Sequence, residues 1–353
     1  MDNPKLIPSR NTLGDISVLY VSVMARAIQY EGADHTDLYR QFNLDPERLA
    51  APDARISIPR FMRLGQAAIA LTGNRALGLT MGQLTRPVDA GLAGLAAQAA
   101  ATAGQGLANL IEYALLTSRN SRGHPRLDLT TGQADFYSIR PYNIFNYFVV
   151  DSVLAAWTQF LRSATGQPFV LSRVTIEYPS QGLDAVFEEW FGCPVVFGAS
   201  SNSIYLAPGL AAMACDGAQP AMHRKLTDEC AGLLRKLRSG WGVKDSVTEK
   251  LAPLLQGGTM TLDRVAAELG VAPWTLQRQL ASEGTGFRQL VDDTRRELAL
   301  DYIRETRLSL AEIAWLLGFS NPAAFQKAYK RWFKVSPGEH RKQLVSRLRA
   351  DVG

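Results

Sequence analysis

Three cysteines in 353 residues are too few and too scattered for a disulfide framework. Cys193, Cys215 and Cys230 include no CxxC pair, which argues against a zinc knuckle and fits a reducing compartment. Histidine is nearly as scarce. His35, His124, His223 and His340 have no partner at metal-ligand spacing, so neither a metal site nor a cofactor is expected. No apolar run reaches the roughly eighteen residues of a transmembrane helix. The opening stretch, MDNPKLIPSRNTLGD, lacks the apolar core of a signal peptide, so the expectation is a cytoplasmic protein without membrane contact. A Walker loop, a GxGxxG after a strand, a GxSxG and an HExxH are all missing, and no enzymatic activity is expected.

The charge that is present is unevenly placed. From Asn321 onward the chain carries Lys327, Lys330, Arg331, Lys334, Arg341, Lys342, Arg347 and Arg349 against only Glu339 and Asp351. That segment holds +6 of a total of +5, leaving −1 on residues 1–320. A basic end on a near-neutral body suggests a polyanion partner.

The pattern upstream is mixed. Apolar residues recur at helical spacing over residues 16–28 and 58–71, an Ala-rich stretch covers 90–103, and a helix is expected near 107–116. Residues 126–130 and 134–140 alternate like strands around Thr131-Gly132-Gln133, a hairpin signal. Helices are expected over 143–162 and 183–191, and strands over 170–178, 194–197 and 203–206. This order predicts an α+β domain, with a few antiparallel strands, ending near Ala211. Residues 220–238 make a further helix with Leu226, Cys230, Leu233 and Leu237 on one face, followed by Ser239-Gly240 as a linker. The expected division is 1–219, a connector at 220–240, and an all-helical domain at 241–353.

An internal repeat at an offset of 48 residues dominates that last part. Leu262, Val265 and Leu269 form an apolar stripe, and Leu310, Ile313 and Leu317 form its copy. Ala266 and Ala314 are small where the next helix must cross. Gly270 and Gly318 end each helix in a left-handed turn. A second helix follows in each copy, started by Pro273 in one and by Asn321 as cap with Pro322 in the other. Two helix-turn-helix units are therefore expected, at about 261–282 and 310–332, joined by an amphipathic segment at 287–307.

The block from Thr261 to Arg341 resembles the DNA-binding domain of AraC/XylS transcription regulators. The matching residues are Leu276-Gln277-Arg278, Arg295, Ile313-Ala314, Gly318-Phe319, Phe325, Ala328-Tyr329-Lys330-Arg331 and Ser336-Pro337 with Arg341. The part before it resembles the arabinose-binding-type sensor domain of the subgroup containing ornithine-utilisation and virulence regulators. Arg55-Ile56-Ser57, Leu77-Gly78-Leu79, Gly91-Leu92-Ala93-Gly94 and Phe191-Gly192 through Val196-Phe197 carry that likeness. Lys334 stands where the family often has glycine, His340 where it has tyrosine, and Ala272 where a serine would cap.

The resemblance implies an α+β sensor domain followed by an all-α DNA-binding domain. It also implies a homodimeric activator of transcription that binds double-stranded DNA, responds to a small-molecule effector and acts on RNA polymerase. Trp274, Thr275, Gln277 and Arg278 would be the exposed face of the first recognition helix. Pro322, Ala323, Gln326 and Lys327 would reach base edges in the second, with Asn321 a cap. Lys330, Arg331 and Arg295 would also contact DNA, the first two at phosphates. In the sensor domain, Arg140, Tyr142, Asn146 and Trp157 are the candidate effector residues, with Arg140 receiving an anionic group. Core packing competes with that reading. Two rival functions remain: a regulator controlled by a protein partner, and an enzyme fused to a DNA-binding module, which would require a reactive cysteine.

Overall fold

A computed structural model of the protein describes residues 14–51, 54–120, 122–239, 242–255, 260–306 and 308–350. Residues 1–13, Gly240, Arg307 and Asp351, all used in the reading above, lie outside the described residues. The chain forms two compact units, one of residues 15–120 with 124–238 and one from 239 onward.

The first unit contains two sheets. Strands β1 (Gly14–Ser17), β2 (Arg55–Ser57) and β3 (Ser118–Asn120) form one, in the order β2-β1-β3. This sheet was not foreseen. Strands of three or four residues are too short to show a period, and β1 takes Ile16 away from the expected helix, which runs over Leu19–Tyr30 instead. The second sheet holds β4 (Arg126–Asp128), β5 (Gln133–Phe136), β6 (Leu171–Ile176), β7 (Val195–Phe197) and β8 (Asn202–Leu206), in the order β4-β5-β8-β6-β7. β4 and β5 form the expected hairpin. The other pairings in this sheet are antiparallel as expected, and the edge strand differs. β7 runs parallel to β6, because helix Asp184–Phe191 carries the chain back before β7 begins.

Helix Tyr147–Thr165 buries Val150, Leu154, Trp157 and Leu161 in a core shared with Val174, Ile176, Phe187, Phe191 and Ile204. It starts four residues later than its periodicity suggests. Asn146 Oδ1 accepts from Asn143 N at 2.8 Å and Asn143 Oδ1 from Phe145 N at 2.9 Å, so the side chains hold a turn where the helix would otherwise begin. Helix Leu77–Gln83 packs closely on it. A Cβ on Gly78 would lie 2.6 Å from Phe148 O, and one on Gly82 2.2 Å from Ala155 Cβ, which explains the glycines of that segment.

Helix Pro220–Ser239 belongs to this unit up to Arg238. Cys230 is buried completely, Leu234 nearly so, and His223 Nε2 lies 2.7 Å from Asn109 Nδ2 on helix Ala103–Glu112. The helix thus packs on the first unit.

Among the described residues, the regular elements of the second unit are all helices: Val243–Leu255, Leu262–Glu268, Pro273–Ser282, Phe287–Glu305, Leu310–Leu316, Pro322–Phe333 and Pro337–Ala350. The connecting helix ends at Glu305 because Thr306 turns to an extended conformation. Val247, Leu251, Val265, Ala266, Leu276, Leu280 and Leu290 form one core cluster. Ile313, Ala314, Leu317, Phe325 and Tyr329 are buried in the second repeat. Each repeat thus turns its predicted stripe inward, with Val265, Ile313 and Leu317 buried and Leu262, Leu269 and Leu310 partly so.

Candidate DNA-binding interface and effector cluster

Each helix-turn-helix unit is shaped by its caps and its glycine. Thr261 Oγ1 accepts from Arg264 N at 3.3 Å, and Ser309 and Glu312 form a reciprocal capping box at 3.2 and 2.7 Å. Asn321 Oδ1 accepts from Ala324 N at 2.8 Å, so Asn321 is a cap, while Ala272 offers the first recognition helix no side-chain cap. Gly270 and Gly318 have φ of +66° and +67°, the left-handed turn that ends each first helix. Lys334 takes φ +60° at the end of the second recognition helix, a left-handed position held by a residue with a Cβ. His340 fills the place of the family's tyrosine by putting Nδ1 2.9 Å from Tyr329 OH.

The helices Pro273–Ser282 and Pro322–Phe333 then present polar faces. Trp274, Gln277 and Arg278 are exposed and Thr275 is half-buried. Trp274 is 64 % exposed, with the Arg278 guanidinium 5.2 Å from its ring centroid. In the second helix Pro322, Ala323, Gln326, Lys327, Lys330 and Arg331 are all exposed. Arg331 Nη2 donates to Asp292 Oδ1 at 2.7 Å.

Arg295, expected at DNA, makes its contacts within the domain. Its Nε donates to Leu317 O at 2.8 Å, its Nη2 to Gly318 O at 3.0 Å, and the guanidinium lies 4.8 Å from the Phe319 ring centroid. The half-buried side chain binds carbonyls of the second turn that the helix end leaves open. It is a brace inside the domain.

In the first unit, the expected effector residues divide. Arg140 Nη2 and Tyr142 OH both donate to the Glu177 carboxylate. Asn202 Nδ2 donates to Tyr142 OH at 2.7 Å and to Glu177 Oε2 at 2.9 Å, while Asn202 Oδ1 accepts from Glu177 N at 2.9 Å. Asn146 does not face this cluster. Its Nδ2 donates to Ile139 O and Pro141 O, each at 2.9 Å, so the amide holds the segment that carries Arg140. Trp157 is buried edge-to-face on Phe136, 6.2 Å between centroids, within the core. Glu177 and Asn202 were missed by sequence reasoning. The available signal was slight, since Glu177 is one of several polar residues, with Ser172, Arg173 and Thr175, in the alternating stretch 170–178. Asp151 was missed as well. Burial raises its pKa to about 8, and Tyr178 OH donates to it.

The three cysteine thiols are held toward the neutral form. Burial raises all three, Cys193 to about 11 even beside Arg162. None is the activated thiolate that the enzyme-fusion reading needs. Among the described residues, no group of three His, Cys, Asp or Glu side chains could hold a metal ion.

Residues 32–214 match the arabinose-binding domain of AraC transcription regulators, and residues 265–343 match a helix-turn-helix domain. The chain belongs to the AraC family of transcription regulators. It is 28% identical over 333 residues to the ornithine utilization regulator of Pseudomonas aeruginosa, covering 92% of this chain and 96% of that relative. It is 28% identical over 322 residues to the HTH-type transcriptional regulator VirS of Mycobacterium tuberculosis, covering 88% and 91%. Among solved structures it matches the transcriptional regulator CdpR from Pseudomonas aeruginosa at 22% identity and a TM-score of 0.42, covering 90% and 97%. This AraC-family chain is a DNA-binding transcription regulator, with an α/β domain of the effector-binding type before its helix-turn-helix domain. No helix among the described residues is long and apolar enough to cross a membrane.

Proposed function

We propose that this regulator is a cytoplasmic homodimer that activates transcription by RNA polymerase when an amino-acid-like effector binds its first unit. The pairing of Arg140 with Glu177 carries the effector reading. An amino acid brings a carboxylate for the guanidinium fork of Arg140 and an ammonium group for Glu177, and so replaces the ion pair without stranding either charge. Tyr142 and Asn202 complete the polar set, and Tyr147 and Tyr178 supply aromatic faces, 4.4 Å apart at their centroids. The ornithine utilization regulator, similar over nearly its whole length, is named for the use of one such molecule. Asn146 supports the Arg140 segment in this reading, and Trp157 supports its core.

On the DNA side, Gln277, Arg278 and Gln326 read base edges, helped by Trp274, Thr275, Pro322, Ala323 and Lys327. Lys330 and Arg331 face phosphates. Effector control rests on unequal binding to two states of the protein. Thermal-shift measurement of the full chain against amino acids, sugars and simple carboxylates tests the effector class. A concentration-dependent rise with an amino acid, lost in Arg140→Gln, is expected. A shift with sugars alone, or one indifferent to Arg140, would contradict it.

A further inference from the structure

The connecting helix holds the second recognition helix at two points one turn apart. Arg295 braces the turn before it, and Asp292 grips its far end. The two carboxylate oxygens of Asp292 serve successive residues: Oδ1 accepts from Arg331 Nη2 at 2.7 Å and Oδ2 from Trp332 Nε1 at 2.9 Å. Trp332 is itself held, 6.1 Å from the Phe319 ring on which Arg295 stacks. The carboxylate is therefore fixed in place and is not a freely moving surface group. The ion pair nevertheless lies open, with Arg331 63% and Asp292 46% exposed. A phosphate approaching Arg331 meets a guanidinium whose charge is already balanced and a carboxylate that repels it.

We propose that Asp292 is a positioning residue acting through Arg331, a latch that withholds this cation from DNA phosphates and lowers sequence-independent affinity. The inference rests on the proposed placement of Arg331 on the DNA-facing side. Freed from its partner, Arg331 neutralises one more phosphate and releases its counterion, which steepens the dependence of affinity on salt.

The test uses the full chain and a labelled 30-base-pair duplex of arbitrary sequence, titrated between about 50 and 200 mM salt. The variants are Asp292→Asn, Arg331→Ala and their combination. Asparagine keeps an oxygen for Trp332 Nε1 and removes the charge. Asp292→Asn should bind more tightly, with a log–log salt slope steeper by about one. Its advantage over wild type should shrink about 3.5-fold across that fourfold salt range. Arg331→Ala alone should weaken binding, because it leaves the Asp292 carboxylate unbalanced beside the phosphates, and in the Asp292→Asn background it should return the salt slope to that of wild type. Asp292→Glu, which restores the charge, should return the wild-type slope. An equal steepening of the salt slope from Asp292→Asn with and without Arg331 would overturn the latch, since the aspartate would then act directly on DNA. Unchanged affinity and slope in Asp292→Asn would overturn it too. A folded wild-type chain that binds no duplex at low salt would instead overturn the DNA-facing reading beneath it, and the latch with it.

Discussion

Gly270 and Gly318 occupy the same place in the two repeats but differ in what surrounds them, so replacing each by alanine separates backbone strain from packing. Both have left-handed φ, and alanine there costs about 1–2 kcal/mol, partly offset by a less flexible unfolded chain. A Cβ on Gly270 meets nothing within 4 Å. A Cβ on Gly318 would stand 2.6 Å from Leu255 O, the end of helix Val243–Leu255, and 3.4 Å from Arg295 Nη2. The backbone carbonyl cannot swing aside, so the turn or the helix end must move, adding about 1–3 kcal/mol of overpacking. Gly270→Ala should therefore destabilise by about 1 kcal/mol and Gly318→Ala by about 2–4 kcal/mol. Urea unfolding of residues 239–353, followed by circular dichroism, measures both. Equal losses within about 0.5 kcal/mol would refute the close seating of the second turn on the first helix of the domain.

Lys334→Gly should stabilise the same segment by up to about 1 kcal/mol, since glycine adopts φ +60° without the Cβ clash and only the 3.2 Å bond from Lys334 Nζ to Arg331 O is lost; a lower unfolding midpoint would contradict this. Asp151→Asn tests the buried carboxyl. Its pKa is about 8 in the folded chain and near 4 when unfolded, so the folded state holds a proton the unfolded state has released, and stability falls as pH rises from about 4 to 8. The asparagine variant should lose that fall, gaining on the order of a few kcal/mol relative to wild type at pH 8, whereas an unchanged pH profile would exclude Asp151 as its source. Lys330→Ala should weaken binding to all DNA sequences alike and flatten the salt slope by about one, whereas Gln326→Ala should cost about 1–3 kcal/mol on a selected site and little on random DNA. Equal losses on both DNAs would refute this division of roles.

The second unit was legible because its determinants are local. A stripe at i, i+3 and i+7, a capping asparagine followed by proline, and a glycine at each helix end all act within a few residues of one another. The repeat doubled the stripe and the glycine, though not the capping asparagine. What stayed hidden depends on distant parts of the chain. Arg295 looks like any basic residue on an amphipathic helix until the turn at Leu317 and Gly318 folds against it, 22 and 23 residues away. Arg140 was visible as a cation, but its partner Glu177 is 37 residues later, just past the end of β6. The small sheet of β1, β2 and β3 consists of pieces too short to carry a period. β7 runs parallel to β6 through a helical return whose direction the alternation of β7 does not encode.

The central claim is that two recognition helices, held by one connecting helix, enter DNA together. Phe287–Glu305 has 19 residues and spans roughly 28 Å at the helical rise. That length suits two successive major grooves, about 10 base pairs apart on one face of the duplex. Hydroxyl-radical footprinting of residues 239–353 on a site selected from random-sequence DNA tests this directly. The account predicts two protected patches at that spacing from a single bound copy. One compact patch, with binding unaffected by Gln277→Ala and Arg278→Ala, would contradict it.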